Sequence, residues 1–277
     1  MLVTFHGVRG STPCHGDEVA RYGGNTACVS IEAAGEDPLL LDLGTGLRYF
    51  GLSCPGDAPF RGSCLVSHLH WDHVQGLPFF GPLQHQDSEL VVYAPADEGR
   101  SPAEVLESTI CPPMFPVGLD CFPGRIDIRE PAPKFQIGGF QIESGAVPHV
   151  GDALGYRVSH RGRSVAYVSD HQQPVGGAHI AESVFALCEG VDLLIHDAQY
   201  TPAEFARKST WGHCTVEYAV WLAGEVGAKR LALFHHDPGH NDDMIDRLAA
   251  AASSCGAAMG VEVFAAREGL VVDLAAG

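Results

Sequence analysis

The chain has 277 residues, 45% hydrophobic and 18% charged, a balance that excludes the disordered classes and is long enough to bury a sizeable core. Acidic residues outnumber basic ones 34 to 17, and the formal net charge of −17, with no local basic patch, is expected to exclude a long nucleic acid while leaving a small anionic substrate open. Nine cysteines without a CxxC pair argue against a disulfide framework and a thiolate zinc site, and most of them are expected in the core.

In chain order, the opening MLVTFHGVRGSTP lacks the charged segment and apolar run of a targeting signal. No later stretch has the apolar length to span a bilayer, so a cytoplasmic location without membrane contact is expected. Short β-branched or apolar runs bounded by Gly, Pro or Asp predict strands at 2–5, 26–31, 39–43, 64–67 and 90–93. The stretch 94–135 is rich in proline, with one short helical prospect at 102–110. It reads as an excursion over the site or at a homodimer contact, with Phe115, Val117, Leu119 and Phe122 as its apolar residues. Further strands are predicted at 140–147, 154–158, 164–168, 191–195, 231–234, 261–264 and 270–272. Helical periodicity marks 178–189, 215–227 and 241–256. In the last, Ile245, Leu248, Ala249 and Ala252 share a face, Asn241 is the N-cap and Gly256 the stop. Strands paired in sequence with helices between the groups predict sheets packed face to face with helices outside, as one domain over 1–277 with two similar halves.

The segment SHLHWDHVQG, residues 67–76, concentrates three histidines and an aspartate within six residues directly after an apolar run. At an extended strand end, residues two apart point the same way, so His68, His70 and Asp72 are expected on one side, with His73 where a helix begins. Chance clustering among 15 histidines is the bland alternative. The pattern suits ligands for two neighbouring divalent metals: zinc first, with manganese or iron compatible.

The HxHxDH arrangement resembles the metallo-β-lactamase superfamily, whose fold is a four-layer αββα sandwich, an α/β (α+β) architecture. The resemblance implies a third histidine, a bridging aspartate and a last histidine at later strand ends. VPHVGDALGYR offers His149, AYVSDH offers Asp170, and LALFHHDP offers His235, with His236 in reserve. HDAQYT and WGHCTVEYA are similar to segments of the ribonuclease Z and phosphodiesterase branch, which makes Asp197 and His213 the pair that handles protons at the scissile phosphate. RYGGNTACV and LLLDLGTGLR also look like that branch. Asp42 is then expected to hydrogen-bond the metal loop from behind; Asn25 reads equally as a turn residue and is not assigned to catalysis.

Carried over residue by residue, the resemblance implies that His68, His70 and His149 hold one ion and Asp72, His73 and His235 the other, with Asp170 between. The resemblance also implies Asp72, Asp197 and His213 as the catalytic set. The implied activity is hydrolysis of a small phosphodiester, such as a cyclic nucleotide or cyclic phosphate, through a metal-bridging hydroxide. No glycine-flanked basic insertion of the kind that grips transfer RNA is visible. Two competing readings are a lactone, lactam or thioester hydrolase of the same fold and a noncatalytic metal-binding carrier. His6, His15, His85, His160, His179 and His240 are assigned to solvated loops or local hydrogen bonds, while His171 and His196 stay open.

Overall fold

Alternating burial shows how each strand enters its layer: in β1 (Leu2–Gly7) Val3 and Phe5 are fully buried while Leu2 faces out. The computed structural model describes residues 1–56 and 58–274 and contains fourteen strands among them. After β1 come β2 (Cys28–Glu32), β3 (Leu39–Leu41), β4 (Arg61–Leu65), β5 (Glu89–Tyr93), β6 (Arg125–Arg129) and β7 (Lys134–Ile137). The second half adds β8 (Phe140–Ala146), β9 (Leu154–His160), β10 (Arg163–Val168), β11 (Leu193–Asp197), β12 (Arg230–Phe234), β13 (Glu262–Ala265) and β14 (Val271–Asp273). One sheet has the order β14-β1-β2-β3-β4-β5-β6 and the other β13-β12-β11-β10-β9-β8-β7.

The two sheets follow one plan. In the first, pairing is antiparallel from β14 to β3 and parallel from β3 to β6. In the second it is antiparallel from β7 to β10 and parallel from β10 to β13. Phe5, Ile31, Leu41 and Leu65 of one sheet pack with Phe140, Tyr156, Ile195 and Phe234 of the other to form the core between them. In chain order the helices are α1 (Gly46–Ser53), α2 (Trp71–Val74), α3 (Pro102–Thr109), α4 (Glu182–Cys188), α5 (Pro202–Lys208), α6 (Val216–Glu225) and α7 (Asp242–Ala258). Residues of α1 and α3 cover the outer face of the first sheet, and α4, α6 and α7 that of the second. The result is the four-layer αββα sandwich.

Several features differ from the sequence reading. Strands β6 and β7 were not anticipated, because β6 alternates charged with apolar residues, β7 alternates polar Lys134 and Gln136 with Phe135 and Ile137 over only four residues, and both lie beside prolines; each is an edge strand, where charge is compatible with solvent. The stretch 94–135 supplies α3 and β6 and packs Leu106, Ile110 and Leu119 onto the outer face of the first sheet. Helix α7 runs past Gly256. A Cβ there would lie 2.3 Å from the Val263 side chain, so this glycine permits close packing of helix on strand and does not end the helix. Only four of the nine cysteines, Cys28, Cys64, Cys188 and Cys214, are buried, which corrects the expectation that most are. Asn241 caps α7 by accepting from the Met244 N–H at 2.9 Å. Among the described residues no helix is long and apolar enough to cross a membrane.

Candidate metal centre

The C-terminal ends of the parallel strands gather at one rim of the sandwich, and the chemistry-bearing residues follow them. β4 stops at Leu65, so His68 lies in coil, His70 is the N-cap residue of α2, and Asp72 and His73 sit in the helix itself. The expected extended alternation therefore ends before the ligands begin. The turn of α2 places Asp72 and His73 beside His235, while His73 stays next to His68, their ring centroids 4.2 Å apart. His149 comes from the β8–β9 connection, Asp170 follows β10, Asp197 ends β11, His213 precedes α6, and His235 follows β12.

These residues form two groups that meet at one carboxylate. His68, His70 and His149 come together, with His149 Nε2 3.3 Å from His70 Nδ1. Asp72, His73 and His235 form the second group: His73 Nε2 is 3.2 Å from Asp72 Oδ2 and 3.3 Å from His235 Nε2, and His235 Nε2 is 3.2 Å from Asp72 Oδ2. Asp170 turns Oδ2 toward the first group, 3.8 Å from His68 Nε2 and 4.0 Å from His149 Nε2. Its Oδ1 faces the second, 3.2 Å from His73 Nε2 and 3.4 Å from His235 Nε2.

The donor set fits divalent metal. Ligands at roughly 2.0–2.1 Å from a tetrahedral zinc stand roughly 3.3–3.4 Å apart, the spacing seen in the second group. His68 Nε2 and Asp170 Oδ1 are buried without a hydrogen-bond partner, a costly state for polar atoms unless a cation completes them.

Four of the five ligand-candidate imidazoles, all but His70, are fixed from behind, as metal-ligating histidines are. His149 Nδ1 donates to the Gly212 carbonyl at 2.8 Å. Gly212 has φ +95°, and a Cβ on it would lie 2.3 Å from the His149 ring, so the position requires glycine. Ser67 Oγ meets His68 Nδ1 at 3.0 Å. His73 Nδ1 pairs with Asp42 Oδ2 at 2.6 Å, and Asp42 also accepts from the Ser67 N–H, the Ser67 hydroxyl and, across the sandwich, the Tyr167 hydroxyl. His235 Nδ1 donates to Gln199 Oε1 at 2.8 Å. His236 instead turns inward to the Ala266 carbonyl, 2.9 Å from its Nε2.

Electrostatics separate the groups. Burial, reinforced by the charge of His73, pushes His68 well below the ordinary histidine range, and burial likewise lowers His70 and His149. For His73 burial acts in the same direction, but Asp72, Asp170 and Asp42 outweigh it and raise its basicity well above normal. Burial would raise the Asp170 carboxyl, yet His235, His73 and His68 hold it well below the carboxylate range. Asp72 is held down against burial by His73 and His235. Positive charge, as a proton or a divalent ion, is thus strongly favoured at the centre of the second group.

His213 Nδ1 lies 3.0 Å from Asp197 Oδ2. Burial opposes its protonation, but the charge and hydrogen bond of Asp197 prevail and raise its pKa. Asp170, His213 and His235 also fall within mutual ligand reach, but the His213 nitrogen 3.6 Å from Asp170 Oδ2 is the one that Asp197 engages. Asp197 is itself fixed by the backbone N–H groups of His171 and Gln199. His171 and His196, left open by the sequence, form a buried pair 3.0 Å apart behind it. A cleft of about 590 Å³ opens beside the centre, lined by Ser11, His70, Tyr200, Lys208, Trp211 and His213 among others, with no lining residue from 94–135.

Sequence reasoning missed Gln199, Ser11 and Tyr167. Gln199 lies two residues beyond Asp197 in HDAQYT, and that proximity was the available signal. Asn25 binds Glu268 through its backbone N–H and side-chain amide, away from the ligands. Of the histidines assigned to local roles, His6 meets Ser30, His160 meets Glu36 and His240 meets Glu204.

A family model described as "Beta-lactamase superfamily domain" matches residues 61–236. Ribonuclease Z of Haloarcula marismortui is 27% identical over 85% of this chain and 86% of that protein. Ribonuclease Z of Natronomonas pharaonis is 26% identical over 99% of this chain and 98% of that protein. Among solved structures, the metallo-β-lactamase fold protein YhfI from Bacillus subtilis superposes with a TM-score of 0.72 at 21% identity, covering 98% of both chains. The short form of human tRNase Z gives 0.67 at 21% identity, covering 99% of both. The exclusion of a long nucleic acid, drawn from the net charge, is overturned by these matches, because relatives aligned over most of their length carry the names of ribonucleases. Net charge was the wrong measure: phosphate is met locally, and cations at a site reverse the local field.

Proposed function

The chain belongs to the beta-lactamase superfamily, and from that premise we propose that it is a metal-dependent phosphodiester hydrolase with a dinuclear centre. His68, His70 and His149 would hold one ion, Asp72, His73 and His235 the other, and Asp170 would serve both through its two oxygens. The imidazole-rich donor set favours zinc, with manganese and iron compatible. When bound, such a pair of ions supplies Lewis acidity, acidifying water and offsetting charge on phosphoryl oxygens.

The observation that carries the phosphodiester reading is the Asp197–His213 pair, 3.0 Å long and beside the ligand cluster. Asp197 holds the proton on Nδ1 and stabilises the imidazolium, leaving Nε2 of a residue that lines the cleft to give its proton to the departing alkoxide oxygen. A phosphate ester with a poor leaving group needs that proton. Asp72 anchors the second group against His73 and His235. Small cyclic nucleotides and cyclic phosphates fall within the proposal, and so does RNA, given the names of the relatives.

The test is turnover by zinc-loaded protein on bis-p-nitrophenyl phosphate, a panel of cyclic nucleotides, RNA with a 3′ extension, and lactone and thioester substrates. Hydrolysis of a cyclic nucleotide or RNA, whose leaving group is an alkoxide, that is lost in His213→Ala supports the reading. Acyl hydrolysis with no diester turnover replaces it with the lactone or thioester alternative, and metal binding without turnover on any substrate leaves a carrier.

A further inference from the structure

Four residues from distant parts of the chain close a ring around the second ligand group. The Ser11 backbone N–H donates to Asp72 Oδ2 at 2.8 Å, and Gln199 Nε2 donates to the Ser11 hydroxyl at 3.3 Å. Gln199 Oε1 accepts from His235 Nδ1 at 2.8 Å, and His235 Nε2 returns to within 3.2 Å of Asp72 Oδ2. Gln199 is buried, and its own N–H holds Asp197 Oδ1 at 2.9 Å. Gly10 leaves room for the ring: a Cβ there would lie 2.4 Å from His235 Nδ1 and 2.8 Å from Gln199 Oε1, wedging the two apart.

We propose that Gln199 is a positioning residue whose amide selects the tautomer of His235 and thereby sets metal occupancy of the Asp72, His73 and His235 position. This inference rests on the dinuclear reading above. A neutral imidazole has one N–H and one lone pair, and it can offer Nε2 to a cation only if the proton sits on Nδ1. The amide oxygen facing Nδ1 stabilises that form. Turned over, the amide would present its NH₂ to Nδ1, favour the proton on Nε2, and aim it at Asp72 instead of a metal. In the observed orientation the Ser11 hydroxyl accepts from the amide nitrogen. Within the second group the other imidazole has no such choice, because a carboxylate accepts from His73. Control of occupancy at this position therefore falls on one neutral side chain.

The experiment measures zinc per chain by elemental analysis across a chelator-buffered series, for the wild-type chain, Gln199→Met and Gln199→Glu. Methionine keeps the approximate shape and removes the acceptor; glutamate keeps an acceptor. Expected are two ions in the wild-type chain, a second ion weakened by about 10–100-fold in Gln199→Met with the first unchanged, and two ions restored in Gln199→Glu. A second readout needs no variant that folds: ¹⁵N histidine spectra of the zinc-loaded wild-type chain should show His235 with its proton on Nδ1. Two ions in the wild-type chain at unchanged affinity in Gln199→Met, or His235 protonated on Nε2, overturns the inference and leaves the dinuclear reading standing. A wild-type chain that saturates at one ion overturns both.

Discussion

His68 and His149 stand against one oxygen of Asp170 with His70 beside them; a serine hydroxyl lies behind His68 and a carbonyl behind His149, and burial lowers the basicity of all three. Against the other oxygen, His73 is enclosed by Asp72, Asp170 and Asp42 and is raised well above its ordinary range although it is fully buried. The same residue type, a few ångströms apart, is lowered by burial where neutral groups surround it and raised where carboxylates do. One position is thus a set of neutral donors reached through the exposed His70, and the other is a buried carboxylate trap for positive charge.

The largest effect should come from the residue both positions share. Asp170→Ala removes the carboxylate that each group faces, so both ions should be lost and turnover should fall to background, as metal analysis and a diester assay would show. Retained activity in a metal-free variant would sink the two-position scheme. Next comes His213→Ala, which should lower kcat by about 10²–10⁴-fold on alkoxide leaving groups while leaving metal content intact. p-Nitrophenolate needs little protonation and should be affected far less. Equal losses on both substrates would mean that His213 does not act as a proton donor.

A smaller pair of variants separates the two positions directly. Asp42→Asn weakens the support of His73 and should lower affinity at the buried position by about 10–100-fold. Gly212→Ala forces a Cβ to 2.3 Å from the His149 ring at φ +95°, and should weaken the other position instead. Opposite orders of metal loss on chelator titration are expected. The same order in both variants would dissolve the distinction.

What could be read from the sequence follows chain distance. His68, His70, Asp72 and His73 were legible because they are contiguous and of ligand type. His149, Asp170 and His235 became legible only through family resemblance, since nothing local distinguishes a ligand from a residue that merely follows a strand. The core strands stood out by their apolar runs, whereas β6, with Arg125, Asp127 and Arg129 alternating, did not. Tyr167 reaches Asp42 from the opposite sheet, 125 positions away, and Gln199 joins His235 to Ser11 across 36 and 188. Such supports use ordinary residue types, and only the packing of one sheet on the other assigns them.

The smallest prediction tests whether burial without a carboxylate is enough to depress an imidazole, as the neutral-donor position requires. His6 lies on β1, far along the chain from the ligands. It meets the Ser30 hydroxyl at 2.8 Å and packs edge-on against Phe50 at 5.1 Å. Burial pushes its pKa down to about 4. Above about pH 6.5 the ring is neutral in the folded and unfolded chain alike, and His6 adds no pH dependence. Between there and about pH 4 the unfolded chain takes up the proton and the folded chain does not, so stability falls as the pH falls, by about 2 kcal/mol at pH 5. Below about pH 4 both forms are protonated and the loss levels off. His6→Gln keeps a partner for Ser30 but cannot titrate, so urea unfolding at pH 7.5 and pH 5 should show an acid loss smaller than wild type by about that amount. Identical losses would mean that His6 stays protonated when folded, and that burial alone does not keep such imidazoles neutral.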